Sequence, residues 1–325
     1  MRAIVIRQFG GPEVLAIEDL PDPRPEPGQV VIEVKAFGVN HAETHMRKGE
    51  WPEAAKVSGI ECVGVVRADP DGSLPVGQKV VALMGGMGRT INGSYAEFTC
   101  VPATNVVPIH SDLPWEELAA IPESYATAWM CLHGNLDLKA GQTLLIRGAT
   151  SALGQAALNI AADAGARVIA TTRNCDRFAK LAELGAERAL REGADLSGKI
   201  RELHPGGVDA VLDLVGNSTV LDSLTTVRRG GRVCEAGWLG GLAPIASFQP
   251  ILRMPSGVHF SLFGSFVFGS SEFSLSDVPV QAIVDRVAAG TYRAKPVRVF
   301  RFEEIQEAHR LMESNRANGK LVVRV

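Results

Sequence analysis

A chain of 325 residues, 46% hydrophobic and 21% charged, is long enough for two packed domains and has the make-up of an ordinary soluble globular protein. Its formal charge of −3 and pI near 6.2 exclude a nucleic-acid or anionic-membrane surface as the main partner, because either needs a clustered excess of Lys and Arg. Five scattered cysteines (Cys62, Cys100, Cys131, Cys175, Cys234), with no CxxC, fit reduced thiols in the cytoplasm rather than a disulfide framework or a structural metal lobe. The opening MRAIVIRQFGG has too short an apolar run for a signal peptide, and nowhere are there about eighteen consecutive apolar residues to cross a bilayer.

Up to about residue 110 the pattern is short β-type runs: Ala3–Arg7, Gln29–Val39, Glu61–Arg67, Lys79–Leu83 and Tyr95–Val101, broken by clusters such as PDPRPEPG. From about 143 to 263 strands and helices alternate, with strands TLLIRG, RVIATT, RAL, VDAVLDLVG, GRVCEAG and VHFSLF. Such alternation predicts right-handed βαβ units and a Rossmann-type doubly wound parallel sheet in the order 3-2-1-4-5-6. A helix near Val280–Ala289, a strand Pro296–Phe302, a helix Glu303–Ser314 and a strand Lys320–Val325 follow. The last strand needs a sheet to join, and the first β-unit is the natural host. The expected arrangement is α/β, with residues 119–265 as the Rossmann domain inserted in a discontinuous domain of residues 1–118 and 266–325.

The stretch RGATSALGQAAL lies between the first strand of the alternating region and its first helix. Gly148, Ser151 and Gly154 there would turn backbone N–H groups and a positive helix N-terminus toward a pyrophosphate. At the end of the second strand an NAD site places a carboxylate for the ribose hydroxyls. Thr172, Arg173 and Asn174 offer none, and Arg173 with Arg177 one turn on suits a 2′-phosphate.

These motifs, with MRAIVIRQFGGPEVL, FGVNHAETHMRKGEWP (37–52), SGIECVGVV, GSYAEF, IPESYATAW and the closing NGKLVV, resemble the zinc-independent medium-chain dehydrogenase/reductase superfamily, in its quinone oxidoreductase (zeta-crystallin-like) branch. The resemblance runs over essentially the whole chain. It implies a GroES-like β-barrel first domain, NADPH on the second, substrate between them, and a homodimer joined at nucleotide-domain edges, where Val258–Phe263 is an apolar strand without Lys or Pro. It also implies cofactor contacts from Asn40, Thr127, Gly148, Thr150, Ser151, Ala152, Leu153, Gly154, Thr172, Arg173, Asn174, Arg177, Val215, Gly216, Gly237, Phe263 and Lys320. Two departures stand out: Ser151 replaces the middle glycine of the family's loop, and Glu43 its usual Asp.

Zinc alcohol dehydrogenases share this architecture, but at their three ligand positions this sequence has Asn40, Ile60 and Glu123. Two of these are not ordinary zinc ligands, so no metal is expected; His41 and His45, one turn apart, are the remaining ligand pair to weigh. The resemblance implies hydride transfer from NADPH to a quinone or other α,β-unsaturated carbonyl. Asn40 would orient the nicotinamide, and His45 and Tyr125 are candidate proton donors, with Tyr95 open between that role and packing. The alternatives are a 2-enoyl thioester reductase, which would want a tyrosine absent from residues 40–51, and a low-turnover NADPH-binding structural or sensor protein.

Overall fold

The structure, a computed structural model, describes residues 1–51 and 53–325; Pro52, which closes the 37–52 motif, lies outside the described residues. The chain forms two compact units, one of Met1–Ala126, Ser265–Gly290 and Ala294–Val325, the other of Thr127–Gly264 with Thr291–Arg293. The division falls after Ala126, inside a helix, where the sequence reading placed it after residue 118.

In chain order the elements are β1 (Arg2–Ile6), β2 (Leu15–Asp19), β3 (Gln29–Val39), α1 (His41–Lys48), β4 (Glu61–Ala68), β5 (Lys79–Leu83), β6 (Phe98–Pro102) and β7 (Val106–Pro108). Then come α2 (Trp115–Leu118), α3 (Pro122–Trp129), β8 (Thr143–Arg147), α4 (Ala152–Asp163), β9 (Arg167–Thr172), α5 (Phe178–Glu183), β10 (Arg188–Arg191) and α6 (Leu196–Leu203). β11 (Val208–Asp213), α7 (Val220–Thr226), β12 (Val227–Glu235), α8 (Pro250–Arg253) and β13 (His259–Leu262) complete the alternating region. The chain ends with α9 (Val280–Ala288), β14 (Arg298–Arg301), α10 (Ile305–Glu313) and β15 (Leu321–Arg324).

In the first unit β1 and β2 pair as a hairpin, and a second sheet runs β14-β15-β3-β4-β5-β7 with β6 also on β3. Strand β3 explains how one run of sequence serves two faces. Its core residues are Val30, Ile32 and Val34, then Phe37 and Val39. The parity flips because the pairing with β4 slips between Val34 and Ala36, a bulge that turns the strand over. The terminal β15 lies antiparallel on β3, Leu321 opposite Val39, so the host predicted for the last strand is the one observed. Strand β6 begins at Phe98 rather than Tyr95, because the carbonyl of Tyr95 accepts from the Ile4 amide (2.8 Å) and Ala96 bridges Ala3. Those residues are committed to β1 instead.

In the second unit all six strands are parallel, in the order β10-β9-β8-β11-β12-β13, the doubly wound order expected. Burial on both faces accounts for the unbroken apolar run Leu144-Leu145-Ile146, each fully buried in β8. The order reverses between β8 and β11, which opens the crevice beyond their C-terminal ends.

Candidate active site

The loop after β8 has the form of an anion cradle. Gly148 sits at φ +78°, a left-handed conformation that side chains disfavour. Ser151 caps α4: its hydroxyl accepts from the Gly154 amide at 3.0 Å and donates to the Gly148 carbonyl at 2.9 Å. A Cβ on Gly154 would lie 2.6 Å from the Gly148 oxygen and 2.7 Å from Ala149 Cα, so the first turn of the helix and the loop approach as closely as backbones allow. The serine in place of the family's middle glycine thus tightens the turn. Thr150, Ala152 and Leu153 complete the rim at the helix N-terminus, half-buried.

Across the loop, β9 ends at a buried Thr172, after which Arg173 and Asn174 are exposed. The Asn174 side chain caps the short turn Cys175–Arg177 by accepting from the Asp176 amide at 3.0 Å. Arg177 reaches back, its guanidinium 3.5 Å from the Thr150 hydroxyl. The cation is therefore tied to the 148–154 loop itself. Arg173, directly after β9, is exposed to solvent.

Beyond β11, both Asp213 oxygens are occupied: Oδ1 accepts from the Val215 and Gly216 amides at 2.9 and 3.0 Å and from the Thr219 hydroxyl, and Oδ2 from Thr219 and Ser223. This fixes the turn at Val215–Gly216, the latter at φ +92°. Gly237 packs onto it, its absent Cβ only 2.8 Å from the Leu214 carbonyl. Buried Arg147 supports the turn from β8, paired with Glu192 and, at 2.7 Å, Asp222. Thr127 and Phe263 are buried in the same unit, 3% exposed each, and the Phe263 amide donates to the Glu235 carbonyl at 2.9 Å.

The first unit holds a buried polar cluster that sequence reasoning did not assemble. Asn40 precedes α1 and donates its side-chain amide to Glu43 (3.2 Å) and Glu61 (2.9 Å), while its oxygen accepts from Lys320 at 2.6 Å. Lys320 also pairs with Glu61, whose other oxygen accepts the Glu123 amide at 2.8 Å. Gly38 makes room, since a Cβ there would lie 2.5 Å from Lys320 Cε. Burial pushes the Glu43 carboxyl up to about 8, with Lys320 opposing and Glu61 adding to the shift. Lys320, carried over from the resemblance as a cofactor contact, is 5% exposed and engaged here. A charged residue inside the apolar runs GIECVGVV and NGKLVV is the signal that would have found this pair.

On α1 the His45 ring pairs with Glu50 through Nδ1 and stacks on Trp51, centroids 5.5 Å apart. A carboxylate on one ring nitrogen orients the other, the arrangement a proton donor needs. His41, one turn before, does not join it in a ligand set; burial above all, with the charges of His45 and Lys48, lowers it to about 4. Tyr125 lies among Val81, Leu83, Leu275 and Ile283, an apolar setting. Tyr95 is fully buried, stacked on Phe37 with its hydroxyl 3.1 Å from His309 Nε2, so packing is its place.

Comparison with known proteins fits this geometry. Residues 26–111 match the alcohol dehydrogenase GroES-like domain, and residues 152–278 the zinc-binding dehydrogenase model. A quinone oxidoreductase from Lama guanicoe is 30% identical over 336 residues, covering 99% of this chain and 97% of that one. The chain belongs to the quinone oxidoreductase branch of the medium-chain dehydrogenase/reductase superfamily. It is an oxidoreductase acting on a small molecule with a nicotinamide cofactor. A phenolphthiocerol/phthiocerol polyketide synthase component of Mycobacterium tuberculosis is also 30% identical, over 98% of this chain and 14% of its own length. Among solved structures, an NAD-dependent alcohol dehydrogenase superposes with TM-score 0.84 at 31% identity, and a mycobacterial protein complexed with NADPH with TM-score 0.87 at 27%, each covering both chains fully. No helix among the described residues is long and apolar enough to cross a membrane.

The branch's zinc-binding cousins would need donors at Asn40, Ile60 and Glu123. These residues do not fit the ion: Ile60 offers no donor, and the Asn40 amide is held by the carboxyl groups of Glu43 and Glu61 and the Lys320 ammonium. Among the described residues no three His, Cys, Asp or Glu side chains are grouped to hold a metal. The dinucleotide is another matter, since the left-handed turn at Gly148 and the N-terminus of α4 that follows fit a pyrophosphate.

Proposed function

We propose that this protein is an NADPH-dependent, zinc-independent reductase that delivers hydride to a quinone or another α,β-unsaturated carbonyl. The observation that carries the reading is the buried Asn40–Glu61–Lys320 cluster, where a zinc enzyme would carry donors. The bound cofactor supplies the hydride. The protein's own part is to hold the pyrophosphate on the 148–154 loop and to meet the 2′-phosphate with Arg173 and Arg177. The residues assigned to the nicotinamide half are Thr127, Val215, Gly216, Gly237 and Phe263, and the resemblance implies Asn40 as a further cofactor contact. Arg177 supports the NADPH choice because it already contacts Thr150 of the loop. His45, backed by Glu50, gives a proton to the enolate formed when hydride reaches an enone, and is dispensable for quinones, whose oxygens take protons from solvent.

A second acceptor, an enoyl thioester, is favoured by the polyketide synthase relative. The setting is the cytoplasm, in keeping with five cysteines that form no disulfide among the described residues. The assembly is a homodimer through β13, the terminal strand of its sheet, where Phe260 and Leu262 are 36% and 52% exposed. The deciding experiment is NADPH oxidation with a panel of quinones, enones and enoyl thioesters. Turnover of quinones or enones is expected. Exclusive turnover of thioesters, or tight NADPH binding with no turnover, would replace this reading by one of the other two.

A further inference from the structure

We propose that Glu235 is the charge partner of the oxidised nicotinamide ring: a proton that its carboxyl holds in the cofactor-free protein passes to solvent when the dinucleotide bearing that cationic ring binds. The inference rests on the nicotinamide-cofactor reading of this fold.

In a doubly wound sheet the two mononucleotide halves bind beyond the strand ends on either side of the switch point. Strands β8–β10 carry the phosphate loop and Arg173, so the ends of β11–β13 take the nicotinamide half. Glu235 is the last residue of β12, in register with Asp213 of β11 and Leu262 of β13. It is 3% exposed, and its Oε1 has no hydrogen-bond partner. The contrast with Asp213 is chemical: every hydrogen bond that saturates Asp213 is one that Glu235 lacks. Its carboxyl lies level with the β11–α7 turn, since a Cβ on Gly216 would come within 3.2 Å of Oε1 and 2.5 Å of the Gly237 carbonyl. With glycine at 216, no side chain of that residue covers it.

The charges around Glu235 are of one sign. Asp213 faces it from β11, Leu262 on β13 is uncharged, and residues 236–239 (Ala-Gly-Trp-Leu) bear none. The Arg147 guanidinium serves Glu192 and Asp222 beyond Asp213. Among the described residues no cation is placed to pair with Glu235. Burial first, then Asp213, pushes its carboxyl up to about 7. An oxidised nicotinamide would be the first positive charge to reach it, whereas the reduced ring is neutral. Ionised Glu235 is thus favoured by one redox form of the cofactor alone.

The test measures the affinities of NADP⁺ and NADPH by calorimetry from about pH 6 to about pH 8.5, in the wild type and Glu235→Gln, and reports their ratio. The ratio cancels protons exchanged by phosphates common to both ligands. In the wild type the ratio should shift toward NADP⁺ by about fivefold or more as pH rises, with proton release on NADP⁺ binding seen in buffers of different ionisation enthalpy. In Glu235→Gln it should be flat. A pH-independent ratio in the wild type, or the same slope in the variant, overturns the proposal while leaving the cofactor reading intact. Failure of the wild type to bind either dinucleotide at any pH overturns both. The wild-type ratio and proton count decide the matter even if the variant folds poorly.

Discussion

The ammonium of Lys320 lies against the carboxylate of Glu61, the two side chains only 4% and 0% exposed, and Asn40 bonds to both. Removing one partner of such a pair strands the other charge without solvent. Lys320→Met should therefore lower the unfolding free energy by about 3–5 kcal/mol. The double variant Lys320→Met/Glu61→Gln should recover much of that loss in urea titrations. Equal stability of single variant and wild type would mean that the pair is solvated.

Arg177 touches Thr150 of the 148–154 loop and Arg173 directly follows β9, so both are expected to serve the 2′-phosphate. A charge-assisted contact of this kind contributes about 1.5–3 kcal/mol. Arg173→Ala or Arg177→Ala should raise the NADPH dissociation constant at least several-fold and leave NADH nearly unchanged. Equal losses for both cofactors would place the phosphate elsewhere.

At Gly154 the neighbours of an added Cβ are backbone atoms at 2.6 and 2.7 Å, which cannot move aside as a flexible side chain would. Gly154→Val should abolish dinucleotide binding, read by cofactor fluorescence, while circular dichroism reports whether the fold survives. Unchanged affinity would make the corner a structural turn.

Glu43 gives a pH signature of stability. Its folded value is raised from 4.5 to about 8, chiefly by burial. A raised carboxyl favours the folded protein while protonated, so this stability is fully present below about 4.5 and is lost as pH climbs through about 8. Melting temperatures of the wild type should fall over that window. Glu43→Gln, which cannot ionise, should flatten the decline, and an unchanged profile would show that Glu43 is ionised in the fold.

Exhaustive chelation should leave turnover intact, and added zinc should not raise it. His45→Ala should slow enone reduction about a hundredfold, the lower range for general acid catalysis, with little effect on quinones. Activity lost on chelation and restored by zinc alone would overturn the metal-free mechanism.

The backbone plan was legible because period carries it. The apolar runs of the parallel strands and the glycine-bearing turn at 147–154 announce a doubly wound sheet, and β3 and β5 have the bounds read from alternation. What period does not encode is which polar side chains meet. The Asn40 cluster joins residues from α1, β4, α3 and the position just before β15, brought together only by the pairing of β15 on β3. Tyr95 likewise looked like a strand residue because its run alternates, and only the partner β1, with its Ile4 amide, decides otherwise. Glu235 was readable in principle as a lone carboxylate in a buried strand, but its lack of a partner is a fact of three dimensions.

The pairing of β15 on β3 also orders events in time. Glu61 and Lys320 are separated by 259 positions in the chain. Between them lies the whole of Thr127–Gly264, a continuous stretch with its own parallel sheet. During synthesis that stretch emerges complete while β3 still lacks the neighbour that closes one side of it, and Glu61 waits without its counter-charge. The inserted unit can thus consolidate first, and the first unit is sealed by a late, long-range docking step, which predicts slow refolding for this half of the molecule relative to the other.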